Sequence, residues 1–522
     1  MVVYHMFILL CLINWATCQS TGESCTISSF TVADNLNSTR QCLPGSVPTK
    51  YVDIRSVDDV QKSLAFIREN GLQLVIKNTG HDYLGRSSGS NALALWTHNY
   101  QPPIRLERNF IPEGCTESVG NVVTFGAGQQ FHGIYEFASQ HNIRIVGGTG
   151  LTVGASGGWI TGGGHSILSN ELGLGIDNVY QMRAILPNGT LITATRCQNT
   201  ELFFALRGGG GSTFGIVMET SILAHQEKPM EMISLTLGNE EQHVAESFIQ
   251  TMVNNAERWA HEGWGGFFQP GMYKSQPIIV IMATSMLDHL QARASMKPIL
   301  EFAHQFGAST SLNMTTFPTF GKFMENISKL DSMSLNNDQI PVSMSSRIIP
   351  RHNFQERSGR DKLTRALNDI MLTSESNINS SASIPAVLVC LTTPFKYSKH
   401  LPELDQKGRP GYSSVTPAWR DGLWHVVHKR TWGDDETPSG VAKIWKKTSQ
   451  AMDPMRNLTP GGGAYQNEAD AFEPDSVTAF WGQENYDRLL KIKREVDPEN
   501  IFTGHQGVGW DRQNPRYDCY PR

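Results

Sequence analysis

Apolar and polar positions near the start of the chain recur with the spacing of alternating strands and helices. Residues 51–55 predict a short strand, and Ser56 can cap a helix that extends to Asn70. The apolar positions at helical spacing within that helix are Val60, Leu64, Ala65 and Ile67. Gly71 suits the position just after a helix, and residues 72–76 are typical of a buried strand. The pattern therefore predicts strand, helix and strand, followed by a polar loop.

A second strand–helix–strand unit follows, and the composition and hydrophobic pattern of the chain then change. Apolar runs predict a strand at residues 122–125, a helix at 131–140 and a strand at 144–146. Beyond about residue 228 glycine becomes scarce and amphipathic segments lengthen. Residues 486–493 have a helical pattern close to the end of the chain. A length of 522 residues predicts two to four folding units, and we place a domain boundary near residue 228.

Glycine is concentrated in three tracts, each of which follows a predicted strand. The tracts occupy residues 78–89, 147–164 and 207–215, and eight of the first seventeen residues of the second are Gly. Each Gly inside a packed helix or strand costs about 1 kcal/mol, so this density indicates close backbone approach or positive φ. Bare backbone N–H groups can cradle a diphosphate. The tracts therefore predict a site for a large phosphate-bearing ligand.

The spelling of familiar motifs excludes several other kinds of site. The chain has neither the G-x-x-x-x-G-K-[ST] of a P-loop nor a G-x-G-x-x-G after a first strand. Residues 154–158 match G-x-S-x-G, but this Ser lies within a glycine run, which argues against a hydrolase nucleophile. No H-E-x-x-H and no clustered His or Cys spacing predicts a metal site. A net charge of −5 argues against a nucleic-acid partner.

Residues 1–18 are predicted to be a secretory signal peptide. The apolar run of residues 6–16 is shorter than the roughly 20 residues that cross a bilayer. The small residues Ala16 and Cys18 stand near a cleavage position, although no Lys or Arg precedes the run. A buried N-terminal strand is the alternative interpretation. The signal predicts a location outside the cell or in the secretory-pathway lumen, with no membrane partner.

The cysteines and sequons agree with a secreted chain. Removal of the signal leaves six of the eight cysteines, and no pair has C-x-x-C spacing. Cys25 and Cys42, in the N-terminal segment of residues 19–46, are the best disulfide candidates, and two unpaired thiols are the alternative. Closing a loop of this size stabilises by roughly 3 kcal/mol in the chain-entropy model. The sequons that would carry N-glycans are at Asn37, Asn188, Asn313, Asn326, Asn379 and Asn457.

Five segments, taken together, resemble one family. Residues 80–87, Gly-His-Asp-Tyr-Leu-Gly-Arg-Ser, resemble the flavin-attachment loop of the berberine-bridge-enzyme-like branch of the vanillyl-alcohol-oxidase superfamily. Residues 150–165 resemble the second flavin loop of that family, and residues 201–216 resemble its third signature. Residues 485–502 resemble its C-terminal signature, and residues 465–470 fit its substrate-side segment. The segments stand in family order over nearly the whole chain, and they are most similar to the fungal branch.

The resemblance implies an α+β fold with two functional parts. Residues 47–228 would form a PCMH-type FAD-binding domain of two subdomains. Residues 229–445 would form a substrate domain, in which a large antiparallel sheet backed by helices covers the flavin ring. Residues 446–522 would return to complete the FAD domain. The diphosphate of FAD would then lie against the glycine tracts.

The resemblance also assigns residues to FAD. His81 would carry a covalent bond to the flavin 8α-methyl group, because a neutral imidazole nitrogen can add to the electrophilic quinone-methide form; a surface histidine is the alternative. Bicovalent members have a second attachment residue, a Cys, where this chain has Gly150, so a single link is implied. The other residues assigned to FAD are Gly80, Gly85, Arg86, Ser87, Thr152, Val153, Gly154, Ser156, Gly157, Gly158, Gly162, Gly163, Gly164, His165, Gly215, Ile216 and Asn485.

Candidate groups for substrate chemistry follow from the same resemblance. Tyr83 and Tyr465 match tyrosines that face the active site and are the predicted catalytic residues. Either phenol would need its pKa of ~10 lowered by its neighbours to act as a base at neutral pH. Glu468 and Asp470 are interpreted as paired structural carboxylates. Residues 417–425 form an aromatic run that lines either a pocket or the core of a sheet.

These observations imply a secreted FAD-linked oxidase. A small organic substrate would pass a hydride to FAD, and O2 would reoxidise the flavin and form H2O2. Val153 matches the oxygen-gate position of the family, although core packing is an equal alternative. The substrate would be an alcohol, a sugar or a natural-product intermediate, and the absent second attachment Cys favours secondary metabolism. The alternatives are a non-redox cyclase or eliminase on the same scaffold, and a binding protein whose FAD site has decayed.

Overall fold

Within the part of the chain that the structure describes, the strands form three large sheets and one small two-stranded sheet. The computed structural model describes residues 3–5, 47–238, 242–271, 276–307, 311–334, 341–375, 385–401, 413–433, 436–514, 517 and 520. The strands are β1 (Val3–His5), β2 (Lys50–Asp53), β3 (Gln73–Lys77), β4 (Ala92–Trp96), β5 (Arg105–Glu107), β6 (Val122–Gly126), β7 (Ile143–Arg144), β8 (Val179–Ile185), β9 (Leu191–Thr195), β10 (Ile216–Leu223), β11 (His225–Gln226), β12 (Met230–Leu237), β13 (Gly265–Gln269), β14 (Ile278–Thr284), β15 (Ser311–Phe317), β16 (Val342–Pro350), β17 (Pro385–Cys390) and β18 (Gly422–Thr431).

Helices flank these sheets on several sides. The α-helices are α1 (Val57–Glu69), α2 (Phe131–Gln140), α3 (Gly158–Thr161), α4 (Ser169–Leu172), α5 (Thr200–Leu206), α6 (Gln242–His261), α7 (His289–Ser295), α8 (Lys297–Phe306), α9 (Phe320–Ser334), α10 (His352–Gln355), α11 (Arg357–Glu375), α12 (Phe395–Ser398), α13 (Ala418–Asp421), α14 (Pro438–Ala451), α15 (Asp453–Leu458), α16 (Ser476–Phe480) and α17 (Gln483–Val496). Within the described ranges, no helix combines the length and the apolar character needed to cross a bilayer.

The first sheet has the strand order β1-β2-β4-β3, and it follows from the predicted strand–helix–strand unit. β2 and β3 both lie parallel to β4, and α1 is the connection between them. Ser56 caps α1, as predicted, because its Oγ accepts from the Asp59 N–H at 3.1 Å while the Asp59 carboxylate accepts from the Ser56 N–H at 2.9 Å. Gly71 follows the helix with φ +60°, a conformation that a residue without Cβ adopts at no steric cost. β1 pairs antiparallel with β2 at the edge.

The second sheet is antiparallel, with the order β5-β6-β10-β8-β9, and the segments between its strands correct two sequence predictions. The strand predicted at residues 144–146 is present only as β7, because Ile143 and Arg144 pair with β11 and the chain then bends into the second glycine tract. The third glycine tract follows the helix α5 rather than a strand. The apolar run that precedes this tract has helical spacing, with Phe203, Phe204 and Leu206 buried. The helix predicted at residues 131–140 is confirmed as α2.

The third sheet is the large antiparallel sheet that the resemblance implies. Its seven strands have the order β15-β12-β14-β13-β17-β18-β16, and every neighbouring pair is antiparallel. One face packs on helices α6, α8 and α11 in a cluster that includes Trp259, Phe302 and Leu363. The other face turns toward the glycine tracts. The α+β class with a helix-backed antiparallel sheet is thus confirmed.

Buried polar contacts connect residues 47–228 with the segments of residues 229–445 and 446–522. The guanidinium of Arg420, in α13, donates to both oxygens of Asp177 at 2.7 and 2.8 Å, and both side chains are buried. In α17, the ammonium of Lys493 donates to the Thr213 carbonyl at 2.9 Å and to the Asp497 carboxylate. Since a buried pair is strongly destabilised when one partner is removed, these contacts fix the substrate sheet and the C-terminal segment against the first domain.

The observed disulfide joins Cys115 to Cys197, with Cα atoms 5.3 Å apart. It ties the segment before β6 to the segment after β9. The predicted pair Cys25 and Cys42, like residues 6–16 of the proposed signal, lies outside the described residues. Cys390 is a buried thiol without a disulfide.

Candidate active site

A single cleft of about 360 Å³ lies between the glycine tracts and the open face of the seven-stranded sheet. Its volume falls within the roughly 300–1,000 Å³ of small-molecule sites. Of the predicted site residues, those that line it are Gly80, His81, Tyr83, Arg86, Ser87, Gly150, Val153, Gly154, Ser156, Gly157, Gly158, His165, Gly215, Ile216 and Tyr465. All three tracts therefore meet at one site, as the sequence predicts for a large ligand.

The His81 loop leaves β3 and is fixed on both sides. The imidazole Nε2 of His81 lies 2.9 Å from the Thr152 hydroxyl, so the second glycine tract holds the ring in place. Arg86 donates to the Asp82 carboxylate at 2.9 Å and to the amide oxygen of Asn467 at 3.2 Å. Gly80, with φ +97°, supplies the turn that presents His81. The loop is thus held in one orientation beside the cleft.

The second glycine tract leaves room for a bound group at one position and for backbone packing at another. A Cβ placed on Gly158 would meet no protein atom within 4 Å, whereas a Cβ on Gly154 would lie 2.3 Å from Oδ1 of Asn78. That Oδ1 atom is buried at the cleft and has no hydrogen-bond partner. An orphaned polar atom beside bare backbone fits a ligand that is rich in donors and acceptors. The residues present therefore fit FAD.

Six predicted FAD residues do not line the cleft: Gly85, Thr152, Gly162, Gly163, Gly164 and Asn485. Thr152 orients His81, and Gly85 belongs to the same loop as Arg86. The tract of residues 162–164 lies behind the cleft wall, where the Gly163 and Gly164 carbonyls accept from the N–H groups of Ile176 and Gly175. Asn485 is buried in α17 and donates to the Val415 carbonyl at 3.0 Å. Its side chain thus contacts the substrate domain rather than the cleft.

The two tyrosines predicted to be catalytic occupy different environments. Tyr83 is 36% exposed at the mouth of the cleft. Tyr465 is buried, and its hydroxyl accepts from the Asn467 amide at 2.8 Å. Burial, together with the nearby Glu468 carboxylate, raises the pKa of the Tyr465 phenol well above its ordinary value. The neighbours therefore do not provide the lowered pKa that a base at this position needs.

A polar cluster of His165, His425 and Glu468 forms the inner end of the cleft. His165 Nε2 lies 3.1 Å from Glu468 Oε1, and His425 Nδ1 lies 3.7 Å from Glu468 Oε2. The other ring nitrogen of His165 lies 2.9 Å from the Thr392 hydroxyl. Trp419 packs against both imidazole rings. His165, predicted as an FAD contact, is thus bound to Thr392 of the substrate domain and to Glu468 of the C-terminal segment.

Ionisation in this cluster follows from burial and from the histidines. Burial alone would raise the pKa of Glu468, but the charge and the hydrogen bond of His165, together with His425, hold it below its ordinary value. Burial lowers the pKa of His425 to about 4. At neutral pH the cluster therefore contains a carboxylate and a neutral His425 imidazole.

The sequence interpretation of the neighbouring residues is correct for one carboxylate and incomplete for the other. Asp470 is paired with Arg456, which also binds Glu473, so its structural interpretation is confirmed. Glu468 instead lines the cleft. The aromatic run of residues 417–425 serves both of its alternatives: Trp424 packs in the helix-side core, and His425 on the next position of β18 reaches the cluster. Strand alternation is the signal that could have separated the two.

Comparisons with known proteins agree with this geometry. A model of the FAD binding domain matches residues 48–195, and a model described as berberine and berberine like matches residues 464–509. The FAD-linked oxidoreductase ffsJ of Aspergillus flavipes is 32% identical over 503 residues, which cover 90% of this chain and 78% of that protein. The VAO-type flavoprotein MtVAO615 of Myceliophthora thermophila C1 superposes with a TM-score of 0.75 at 27% identity, covering 90% of this chain and 82% of that one.

A second VAO-type flavoprotein of the same fungus, MtVAO713, superposes with a TM-score of 0.79 at 23% identity, covering 91% of this chain and 83% of that one. The fold and the glycine-lined cleft define an FAD-dependent oxidoreductase with the PCMH-type architecture. The chain belongs to the berberine-bridge-like FAD-linked oxidoreductases of the vanillyl-alcohol-oxidase superfamily.

The two glycines of the second tract provide a matched test of the FAD cradle. We expect Gly158→Ala to weaken FAD binding without lowering the thermal stability of the FAD-free protein, because its Cβ meets only the open cleft. We expect Gly154→Ala to lower both, because its Cβ would overlap Asn78. Both variants are made in a His81→Ala background, in which no covalent link retains the flavin. Flavin retention after gel filtration and thermal unfolding of the stripped protein then measure the two effects. Unchanged flavin retention in Gly158→Ala would contradict the position assigned to the cofactor.

Proposed function

We propose that the protein is a secreted oxidase that acts on an apolar, hydroxyl-bearing natural-product intermediate. In this proposal FAD is attached through His81, O2 is the electron acceptor and H2O2 is the second product. When bound, FAD supplies the hydride acceptor and the route by which electrons reach O2. The substrate loses a hydride from carbon and a proton from oxygen, so that the alcohol becomes a carbonyl group.

The observation that carries the proposal is the composition of the cleft wall opposite the glycine tracts. The apolar side chains that the substrate domain contributes to this wall are Phe267, Ile281, Ile327, Met344, Leu388 and Val427. A sugar would leave its many hydroxyl groups without partners on such a wall, at a cost in binding free energy for each. The wall therefore favours a mainly apolar substrate over a carbohydrate.

The polar end of the cleft gives the substrate its orientation. His165 and Glu468 line the cleft, and they are the polar groups of the cluster that an entering hydroxyl meets. A hydroxyl bound there donates to the Glu468 carboxylate, which is ionised at neutral pH. The proton of the substrate hydroxyl passes to Glu468 as the neighbouring carbon gives up a hydride. The apolar wall holds the rest of the substrate and excludes water.

Two observations support one covalent link to FAD rather than two. The position of the second attachment residue is Gly150, which has no side chain to form a bond. Among the described residues that line the cleft, the cysteine is Cys390, which lies on β17 in the face of the sheet. Burial raises the pKa of its thiol well above the ordinary value. A thiol kept protonated is a poor nucleophile toward the flavin ring.

The proposed secretion has support at several sequons. Asn188, Asn313 and Asn457 are exposed and Asn326 is half-buried, so glycans at the first three would meet no packed surface. Asn37 and Asn379 lie outside the described residues. The Cys115–Cys197 bridge is of the kind that persists in an oxidising compartment.

Anaerobic mixing of the purified flavoprotein with candidate substrates tests the proposed reaction. We expect apolar secondary or allylic alcohols to bleach the flavin absorbance, because a hydride reaches the cofactor without O2. Admission of air should restore the absorbance and release one H2O2 for each substrate oxidised. Oligosaccharides of similar size are the matched control and should leave the spectrum unchanged. Turnover of a substrate to an isomer or cyclised product without any bleaching would support the non-redox alternative instead.

A further inference from the structure

The inner cluster of the cleft contains a buried histidine with no hydrogen bond. His425 is fully buried on β18, and neither of its ring nitrogens has a hydrogen-bond partner among the residues that the structure describes. Leaving a buried polar group unpaired is destabilising. Leu or Phe would fill the same space between Trp419 and Tyr465 without this cost. The imidazole therefore indicates a ligand that it binds when the site is occupied.

The donors around His425 are those of a metal centre. One donor atom each from His165, His425 and Glu468 can be chosen so that all three lie within 4.8 Å of one another. His165 Nε2 lies 3.1 Å from Glu468 Oε1 and His425 Nδ1 lies 3.7 Å from Glu468 Oε2, so each histidine faces a different oxygen of the carboxylate. Both separations are near the roughly 3.3 Å between neighbouring ligands of tetrahedral zinc. From these contacts we propose that His165, His425 and Glu468 bind a divalent metal ion at the inner end of the cleft, with Zn2+ as the best-matched ion.

The surroundings match the requirements of such a centre beyond the three ligands. The second nitrogen of His165 is held by the Thr392 hydroxyl at 2.9 Å, as the outer ring nitrogen of a metal-bound histidine commonly is. His165 and Glu468 line the cleft while His425 lies behind them, so a fourth coordination position would face the substrate. Three protein ligands with one open position are the pattern of catalytic rather than structural zinc.

The open position defines the ligand class. A substrate hydroxyl or carbonyl oxygen would fill it, and the ion would stabilise the oxygen as its proton leaves. Zn2+ is redox-inert, so it would not compete with a flavin for electrons. The choice of a substrate oxygen rests on the proposed function, whereas binding of the metal does not.

Zinc titration of the full-length flavoprotein tests the site directly. After dialysis against a chelator, isothermal titration with Zn2+ should show one equivalent bound per chain. Glu468→Gln and His425→Leu should each weaken that affinity by at least about 10-fold, since each removes a ligand. The matched control is His289→Gln, because His289 also pairs with a carboxylate, Glu231 at 3.0 Å, on the same sheet but away from the cleft. Flavin absorbance and thermal unfolding verify that each variant is folded.

A second measurement needs no variant. Co2+ added to the dialysed protein should develop absorption at wavelengths longer than the flavin bands, and Zn2+ should displace it. Absence of stoichiometric uptake in the unmodified protein, or equal uptake in the ligand variants, would overturn the proposed site. Flavin bleaching in a protein that takes up no metal would overturn the metal site and leave the proposed reaction intact. Metal uptake without flavin bleaching would support the metal site and contradict the proposed reaction.

Discussion

His81→Ala is expected to abolish acid-stable attachment of flavin. The structure holds the His81 ring at the cleft through Thr152, and Gly150 supplies no second attachment residue. Without the imidazole no bond to the 8α-methyl group can form, so all flavin should be released when the protein is precipitated with acid. The measurement is flavin fluorescence in the washed pellet, compared with that of the unmodified protein.

Two further variants separate attachment from general damage. His132→Ala replaces an exposed histidine on α2 and should leave the pellet fluorescent. Thr152→Val keeps His81 but removes the hydroxyl that orients it, and should slow attachment without abolishing it. Fluorescence that persists in the His81→Ala pellet would falsify the single histidyl link and would direct attention to another nucleophile in the cleft.

Acidification from about pH 7 toward pH 4 is expected to lower the free energy of unfolding by several kcal/mol. Burial lowers the pKa of His225 to about 4, of His428 to about 3 and of His505 to about 4. In the unfolded chain each imidazole titrates near its ordinary value of about 6.5. Between these values the unfolded state binds protons that the folded state does not, so stability falls as pH falls below about 6.5.

The loss of stability is confined to pH values below about 6.5. Above about pH 6.5 these histidines are neutral in both states and contribute no pH dependence. Each unit of pKa difference corresponds to about 1.4 kcal/mol, so three buried groups suffice for the expected loss. The raised pKa values of Asp470 and Glu473 act in the opposite sense: their contribution begins as the pH falls through the raised pKa values of the folded state and is complete below the ordinary values of 3.8 and 4.5. These two groups therefore offset part of the loss of stability that the three histidines cause.

Denaturant unfolding at a series of pH values measures this dependence. His428→Gln removes one of the proton-binding differences and should make the slope shallower, whereas His132→Gln at the surface should not. Stability that stays constant or rises between about pH 6.5 and pH 4.5 would contradict the buried, neutral state of these histidines.

Local pattern was sufficient to predict the elements that depend on local contacts. The capping box of Ser56 and the apolar positions of α1 are separated by only a few residues, so the sequence predicts the helix almost to its ends. The glycine tracts were informative for a similar reason. A high local density of Gly indicates close backbone approach or positive φ whatever the tertiary structure around it. The resemblance then supplied the antiparallel sheet, whose strand order no local pattern encodes.

The inner cluster of the cleft could not be predicted in the same way. Glu468 and His165 are 303 positions apart, and His425 comes from a third segment, so no spacing motif brings them together. Glu468 resembled its neighbour Asp470 in sequence, and only packing shows that one faces Arg456 and the other faces two histidines. A catalytic base at Tyr465 would need a lowered phenol pKa. The pKa depends on burial, which the sequence does not give, and burial raises it.

The return of the C-terminal segment to the first domain has a consequence for biosynthesis. Asn467 contacts Arg86 of the His81 loop, and the hydroxyl of Tyr520 donates to the carbonyl of Leu84 in that loop. These partners follow Arg86 and Leu84 by 381 and 436 positions, so a ribosome releases them long after it has released the loop. The contacts that fix the His81 loop therefore form late in synthesis, and we expect flavin loading to follow them.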